Sequence, residues 1–315
     1  MNKVSVCITV FNEQKSIEGL IRSLLNQSKK PNEIVVVDGG STDRTVSIIR
    51  HLQKKYGGIK LLVENCTRAK GRNLAVELAK NEIIAITDAD CTADKNWLKN
   101  ITEPFEHKEI DIVAGFYNMC VDNSFQKAES VFLGVLPNKF GNDFLPSTRS
   151  IAFRKRIWEE IGGFPEGNNN SAEDTDFNYK AAKLGAKYAR IKNALVEWRI
   201  PDNIQDFKEK IYNYASWDAN YGIWWHPVKK FSSHNIKVLT VFARYLVGLT
   251  LIALSFKTPS LLWLAFVLLI LYILWAFRKV YMEYRDWRAG LWGIVLQFAS
   301  DFVVMSGFIS GMITK

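Results

Sequence analysis

The chain contains 315 residues, of which 48% are hydrophobic and 23% are charged, and its formal net charge is +9. This apolar fraction excludes general disorder, and 19 Gly with 8 Pro exclude a collagen-like or low-complexity chain. The four cysteines are scattered without a Cys-x-x-Cys pair, so we expect neither a structural zinc site nor a disulfide framework.

Residues 1–230 alternate short β-rich runs with amphipathic helical patterns. The predicted strands are 4–9, 34–37, 59–63, 83–87 and 111–115, and the predicted helices are 14–26, 43–56 and 70–80. Such alternation predicts an α/β domain with a mostly parallel sheet. Its ligand site is expected beyond the carboxyl ends of the strands.

Acidic residues lie after several of these strands and at the start of a later helix. They are Glu13, Asp38, Asp88, Asp90, Glu173 and Asp174. Each alone is equally well explained by a turn or a helix cap. Together they favour a binding site, because Asp-x-Asp at a strand end suits Mg²⁺ or Mn²⁺ shared with a phosphate-bearing substrate. No Gly-rich phosphate loop of either common type occurs, so the sequence favours metal-bridged diphosphate chemistry over NTP hydrolysis or hydride transfer.

Three long apolar stretches lie at 238–256, 259–277 and 291–313. The middle stretch has no charged residue, whereas the first contains Arg244 and the third Asp301. Because about 20 apolar residues cross the hydrocarbon core, we predict a membrane region at 231–315 with about three transmembrane helices. Two spans with an interfacial helix are the alternative. Asp301 is expected to face another helix or a polar cavity, and Arg244 to reach an interface.

Basic residues flank these stretches unevenly. Only Lys257 lies between the first two stretches, whereas the other flanks contain Lys229, Lys230, Lys237, Arg278, Lys279, Arg285 and Arg288. An excess of Lys and Arg marks the cytoplasmic side, so we expect a multi-pass protein of the cell membrane with residues 1–230 in the cytoplasm. Membrane lipids are the expected partner of the basic flanks. Nucleic acid is not expected, because no recognition motif for it is present.

The motifs at 9–13, 36–43, 68–73, 87–90, 162–166 and 173–176 resemble those of the inverting glycosyltransferases of family two. The resemblance extends over roughly residues 1–215, in order and at ordinary spacings. It implies a GT-A fold, Rossmann-like with a mostly parallel sheet, for a catalytic domain at 1–230. An all-α transmembrane region would follow it, as in membrane-anchored members.

The resemblance also implies residue roles. The nucleotide-sugar donor would be bound by Glu13, Asp38, Lys70, Arg72, Asn73 and Asp88. Asp90 would bind the divalent metal, Mn²⁺ or Mg²⁺, on the diphosphate. Asp174 would be the general base, and Glu173 would support the acceptor site.

Two further residues are candidate acceptor contacts. Arg149 is compatible with contact to a phosphate or to the acceptor, and equally with a place in a surface turn. Trp217 is expected either to stack on an acceptor sugar or to lie at the membrane interface.

The chain departs from the family pattern at two places. Many relatives have a His after the catalytic segment that completes the metal site, but here that stretch is Glu197-Trp198-Arg199, which leaves Asp90 as the expected protein ligand. The Gln-x-x-Arg-Trp motif of processive synthases is also missing, because the nearest stretch at 212–217 lacks the Arg. Transfer of a single sugar is therefore favoured over polymerisation.

These observations predict a membrane-anchored, metal-dependent inverting glycosyltransferase of the hexosyltransferase type, acting in polysaccharide biosynthesis. It would move one sugar from a nucleotide-diphosphate sugar, with a UDP-sugar favoured, to a hydroxyl of a lipid-linked or membrane-proximal glycan. The alternatives are a polyprenyl-phosphate glycosyltransferase of the dolichol-phosphate-mannose synthase kind, a processive polysaccharide synthase, and a non-catalytic membrane scaffold.

Overall fold

The structure is a computed structural model that describes residues 3–166, 172–227, 230 and 233–314. Its contacts separate two compact units. The first unit comprises Met1–Met119 and Pro137–Arg199, and the second comprises Cys120–Leu136 and Ile200–Lys315. Residue 230, the predicted domain boundary, lies within the second unit.

The described chain contains eight strands and eleven α-helices. The strands are β1 Val4–Val10, β2 Glu33–Asp38, β3 Ile59–Val63, β4 Ile83–Ile86, β5 Cys91–Ala93, β6 Ile112–Cys120, β7 Ile151–Arg154 and β8 Tyr188–Arg199. The helices are α1 Ile17–Leu25, α2 Thr45–Tyr56, α3 Arg68–Leu78, α4 Trp97–Thr102, α5 Ser124–Leu133, α6 Lys155–Ile161, α7 Glu173–Lys183, α8 Ile204–Asn220, α9 His234–Ser255, α10 Ser260–Tyr284 and α11 Trp287–Ile313.

The first unit is built on one sheet with the strand order β3-β2-β1-β4-β7-β6-β8-β5. Strands β1 to β4 are parallel to one another, whereas β7 is antiparallel to both β4 and β6. Val10 at the end of β1 lies opposite Asp38 at the end of β2. The carboxyl ends of the parallel strands therefore meet at one edge, where the sequence predicts the site.

The strands and helices of the first unit follow the apolar pattern of the sequence. Every residue of β2 is buried, as expected for a strand covered on both faces. Helix α1 buries Ile17, Leu20, Ile21 and Leu24, which recur at helical spacing on one face. The α/β fold class predicted from these patterns is confirmed.

Three helices of the second unit, α9, α10 and α11, are long and apolar enough to cross a membrane. They have 22, 25 and 27 residues and contain the three predicted apolar stretches. They differ in burial, because 39% of the apolar window of α11 is buried by other residues, against 6% for α9 and for α10. Helices α5 and α8 belong to the same unit.

A polar cluster joins the three long helices near their middles. Asp301 of α11 is 2% exposed and accepts hydrogen bonds from Arg244 Nη2 at 2.9 Å and from Gln297 Nε2 at 3.0 Å. The hydroxyls of Tyr245 and Tyr272 donate to the same carboxylate. The expectation that Asp301 faces other helices is confirmed. Arg244 pairs with this carboxylate, whereas the sequence suggested that it reaches an interface.

Candidate active site

The loops after β1 and β2 are joined by hydrogen bonds. Asn12 has a positive φ of 54° and accepts a bond from the Thr42 backbone N–H at 2.9 Å, while its own N–H donates to Ser41 Oγ at 2.8 Å. Asn tolerates this left-handed backbone better than most residues. Glu13 follows at once, and its carboxylate accepts a hydrogen bond from Ser16 at the start of α1. These bonds fix the position of Glu13 at the strand edge.

Asp38 ends β2 and is fully buried. Its Oδ1 accepts bonds from the backbone N–H groups of Gly40 at 3.0 Å and Ser41 at 2.8 Å. Its Oδ2 is buried without a hydrogen-bond partner in the part of the chain that the structure describes. A buried acceptor without a partner is costly, so this oxygen is suited to an N–H or O–H group of a ligand.

Arg72 connects two acidic segments that are far apart in the sequence. Its side chain is 3% exposed, its Nη2 lies 2.8 Å from Asp88 Oδ1, and its Nη1 contacts Glu173 Oε1. Burial alone would lower the pKa of Arg72, but the carboxylates of Asp88, Glu173 and Asp174 together raise it. The guanidinium therefore stays charged and holds the end of β4 against the start of α7.

Asp88 is kept ionised by the cations around it. Its Oδ2 accepts a bond from Thr148 Oγ1 at 3.3 Å, while its Oδ1 contacts Arg72. Burial would raise the pKa of Asp88, but the guanidinium groups of Arg72, Arg149 and Arg68 lower it. Both carboxylate oxygens are thus engaged within the protein.

Asp174 lies in the first turn of α7, next to Glu173. Burial and the neighbouring Glu173 carboxylate raise the pKa of Asp174 to about 6, although Arg72 and Arg149 oppose this rise. A carboxyl group with this pKa is mostly ionised at neutral pH and is a stronger base than an ordinary aspartate. It therefore has the properties of a general base that works near pH 7.

Asp90 contacts an aromatic side chain that sequence reasoning did not assign to the site. Trp198 Nε1 donates to Asp90 Oδ2 at 2.8 Å, and the Arg149 guanidinium lies 3.6 Å from the centre of a Trp198 ring. Arg149 also lies 5.3 Å from the Tyr117 ring centre. Trp198 lies in the stretch 197–199, where the family pattern led us to expect a metal-binding His, so that departure was the available signal.

The contacts of Asp90 suit a metal ion that is bound jointly by this residue and the substrate phosphates, more than a metal site formed by protein side chains alone. Its Oδ2 already accepts the Trp198 N–H, whereas its Oδ1 has only a weak contact, 3.6 Å from Cys91 Sγ. Across residues 3–166, 172–227, 230 and 233–314, no three or more His, Cys, Asp and Glu side chains group as metal ligands. A carboxylate oxygen with only this thiol contact in the described chain fits Mg²⁺ or Mn²⁺, since these ions often use one or two carboxylates with substrate phosphates and waters.

Lys70 and Asn73 lie on α3, and the side chains of both contact other residues of the protein. Lys70 pairs with Glu64 at 2.7 Å, and this pairing raises the pKa of Lys70. The Asn73 amide donates to the carbonyl oxygen of Phe164 and to Glu166, and it accepts from Trp158 Nε1 at 3.0 Å. Asn73 thus fixes the loop at 163–166. Its predicted contact with the nucleotide-sugar donor stays a prediction.

The structure brings most of the predicted site residues into the first unit. Arg72, Asp88, Glu173 and Arg149 interact there through the contacts described above. Trp217 is half-buried on α8 in the second unit, and its predicted acceptor contact also stays a prediction.

Comparisons with known proteins agree with this fold. The model of Glycosyl transferase family 2 matches residues 5–186. Glycosyltransferase AglE of Haloferax volcanii is 27% identical over 169 residues, which cover 51% of this chain and 56% of AglE. A Methanococcus voltae protein is 24% identical over 69% of this chain and 73% of its own length. Its name is dolichyl N-acetyl-alpha-D-glucosaminyl phosphate 3-beta-D-2,3-diacetamido-2,3-dideoxy-beta-D-glucuronosyltransferase.

Two solved structures are similar to this chain. Residues 1–349 of TarS from S. aureus, in complex with UDP-GlcNAc, align with a TM-score of 0.51 at 25% identity, covering 68% of this chain and 65% of that one. The mannosyltransferase PcManGT from Pyrobaculum calidifontis, in complex with GDP-Man and Mn²⁺, aligns with a TM-score of 0.63 at 19% identity. That alignment covers 94% of this chain and 86% of PcManGT, and it supports the fold. Since the family model matches more than half of the chain, the chain belongs to glycosyltransferase family 2, and the GT-A fold that its motifs imply is confirmed.

Proposed function

We propose that this chain transfers one sugar, with inversion, from a nucleotide-diphosphate sugar to a hydroxyl group of a lipid-linked or membrane-proximal glycan. The observation that carries the proposal is the position of Asp174 in the first turn of α7, next to Glu173, whose carboxylate contacts the buried Arg72 that also pairs with Asp88. The raised pKa of Asp174, about 6, supports it. An acceptor hydroxyl is a poor nucleophile near neutral pH and needs such a base, whereas an ionised phosphate acceptor does not.

The donor pocket is proposed at the ends of β1, β2 and β4. The buried Oδ2 of Asp38 is suited to an N–H or O–H group of a nucleoside, and Glu13 lies in the adjoining loop. A UDP-sugar is favoured, since TarS, which is 25% identical, was solved with UDP-GlcNAc. Asp88 would face the ribose or the sugar, held in position by Arg72.

A divalent metal, Mn²⁺ or Mg²⁺, is proposed to bind Asp90 together with the donor diphosphate. When bound, it would supply positive charge that offsets the negative charge on the leaving nucleoside diphosphate. Trp198 would hold the Asp90 carboxylate in one orientation through its N–H group. Arg149, stacked on Trp198, would add a fixed positive charge beside the same group.

In the proposed reaction, Asp174 takes the proton of the acceptor hydroxyl as its oxygen attacks the anomeric carbon. The attack comes from the face opposite to the leaving diphosphate, so one displacement inverts that carbon and needs no covalent intermediate. Glu173 raises the basicity of Asp174 and is itself fixed by Arg72.

Anchoring of the enzyme at the cytoplasmic face of a membrane is part of the proposal. It is supported by the three long apolar helices and by the basic residues that flank them. The Methanococcus voltae relative is named for a dolichyl-phosphate-linked acceptor, which supports a lipid-linked acceptor for this chain.

The test compares Asp174→Asn with Asp176→Asn in the detergent-purified protein. Asp176 lies on the same helical turn but pairs with Lys180 at 2.8 Å, so its variant is a matched control. Release of nucleoside diphosphate is measured across UDP-, GDP- and dTDP-sugars with membrane glycolipid extract as acceptor, and UDP binding is measured by calorimetry. We expect Asp174→Asn to bind UDP without turnover and Asp176→Asn to keep turnover.

Turnover by Asp174→Asn would refute the base assignment. If polyprenyl phosphate alone accepts the sugar and Asp174→Asn remains active with it, the chain is a polyprenyl-phosphate glycosyltransferase. If UDP does not bind with or without Mn²⁺, and GDP and dTDP do not bind either, a non-catalytic scaffold is supported.

A further inference from the structure

We propose that α11 lies in the plane of the membrane–water interface, while α9 and α10 cross the membrane as a helical hairpin. This inference rests on the membrane location in the proposed function, but not on the catalytic chemistry. It selects two crossings, although the length and composition of α11 suit a third.

The first half of α11 packs against the last part of α10. A Cβ atom added to Gly290 would lie 2.6 Å from the Phe277 ring, and one added to Gly293 would lie 2.7 Å from Val280. Such close approach of two helices is possible only because both positions are glycine. The start of α11 is therefore fixed beside the end of α10.

The second half of α11 packs against the first part of α9. The ring centres of Phe308 and Phe242 lie 6.0 Å apart, and Val238 and Val304 belong to the same apolar cluster. The end of α11 is therefore fixed beside the start of α9.

These contacts show that α11 runs across the hairpin. From Gly290 to Phe308, α11 is roughly 27 Å long at a rise of about 1.5 Å per residue. Its hydrogen bonds and apolar contacts on α9, among the residues that the structure describes, lie between Val238 and Tyr245, roughly 10 Å along that helix. Both ends of α11 thus contact the same half of the hairpin, the half near His234 and Tyr284. A helix antiparallel to α10 along its whole length would reach both halves.

A polar helix covers α11 on another side. A Cβ atom at Gly307 would lie 2.6 Å from the Tyr212 carbonyl oxygen of α8, and one at Gly311 would overlap the Ser216 carbonyl oxygen. Helix α8 exposes Asp206 and Glu209. If α11 crossed the bilayer, α8 would be drawn into the hydrocarbon with these charges, which is unfavourable. At the interface, the charged face of α8 stays in water.

The depth of the contacts agrees with this placement. Helices α9 and α10 are roughly 33 and 38 Å long, enough to cross a hydrocarbon core of about 30 Å. Their halves near residue 257 expose large apolar side chains, among them Leu246 at 67%, Leu249 at 65% and Trp263 at 74%. Helix α11 meets α9 within roughly 6–16 Å of His234, and its Asp301 bonds Tyr272 roughly 18 Å from the Tyr284 end of α10. The two ends of α11 therefore lie nearer than its middle to the roughly 5–10 Å depth of interfacial helices. Its exposed Phe302, Leu291 and Trp292 are then available to lipid.

The topology is tested by the sidedness of single introduced cysteines. Lys237→Cys, Thr258→Cys and Thr314→Cys are made in the full-length chain, and labelling by a membrane-impermeant maleimide is compared in right-side-out and inverted vesicles. The unsubstituted protein measures labelling of its four native cysteines, of which Cys7 and Cys91 are buried. Elution as a single species in detergent shows that each variant is folded. None of these measurements needs sugar transfer, so their outcome is independent of the catalytic proposal.

We expect positions 237 and 314 to be labelled from one face and position 258 from the other. Labelling of 314 from the same face as 258, opposite to 237, would establish three crossings and overturn the proposal. Labelling of all three positions from one face would show that the hairpin does not cross, and would overturn it as well.

Discussion

Replacing Arg72 with Gln tests the ion network that holds the site. The Arg72 side chain is 3% exposed and contacts both Asp88 and Glu173, so Arg72→Gln leaves two carboxylates without their cation. Removing one partner of a buried ion pair destabilises by about 3–5 kcal/mol. The control is Lys180→Gln, which removes an i,i+4 ion pair with Asp176. Because the Lys180 side chain is 45% exposed, this substitution should lower the free energy of unfolding by only about 0.3–0.5 kcal/mol.

The same substitution has a chemical consequence. Arg72 lowers the pKa values of both Asp88 and Asp174, so its loss raises them, and the pKa of Asp174 moves above its present value of about 6. Denaturant unfolding followed by tryptophan fluorescence measures the stability, and the pH dependence of kcat/KM measures the base. If Arg72→Gln is no less stable than Lys180→Gln, or if the acidic limb of its pH profile does not move upward, the proposed role of Arg72 is refuted.

Three further results are expected. For the unsubstituted enzyme, kcat/KM should rise with pH, reach half its plateau near pH 6 and level off above about pH 7, because Asp174 must be unprotonated to act as a base. A flat profile between about pH 5 and 7 would contradict this. Trp198→Phe removes the N–H bond to Asp90 and should weaken Mn²⁺ binding by about 10–100-fold, measured by calorimetry in the presence of UDP; equal affinity would argue against the assigned metal ligand. Gly311→Ala forces a Cβ atom against a backbone carbonyl of α8 and should lower the free energy of unfolding by about 1–3 kcal/mol, measured by thermal denaturation. Gly248→Ala is the control and should not destabilise the protein, because nothing lies within 4 Å of the added Cβ atom. Similar losses in both variants would contradict the packing argument.

Local sequence signals predicted much of the first unit. The apolar run at 34–37 lies within β2, and the amphipathic stretch at 14–26 contains α1. The predicted helix at 70–80 is α3, which begins two residues earlier at Arg68, since Thr67 caps it. These elements are specified by the spacing of residues close together in the chain.

Contacts between segments that are far apart in the sequence could not be predicted from these local patterns. Arg72 and Glu173 are separated by 101 residues, and nothing local indicates that one guanidinium joins them. The N–H bond from Trp198 to Asp90 depends on the pairing of β5 with β8, and β5 has only three residues, too few for a periodic signal. Similarly, no charge or hydropathy pattern indicates that α5 belongs with the long C-terminal helices.

The membership of α5 in the second unit affects the order in which the protein is assembled during synthesis. Lys127 of α5 pairs with Asp286 at 3.0 Å across 159 residues of chain, and Phe125 packs on Trp292 of α11. At about 5–20 residues per second, a ribosome needs roughly 8–30 s to make that intervening segment. Helix α5 is therefore synthesised long before the residues of α11 that cover it. Until α11 has been made, the face of α5 that it later buries stays accessible to chaperones or to the membrane.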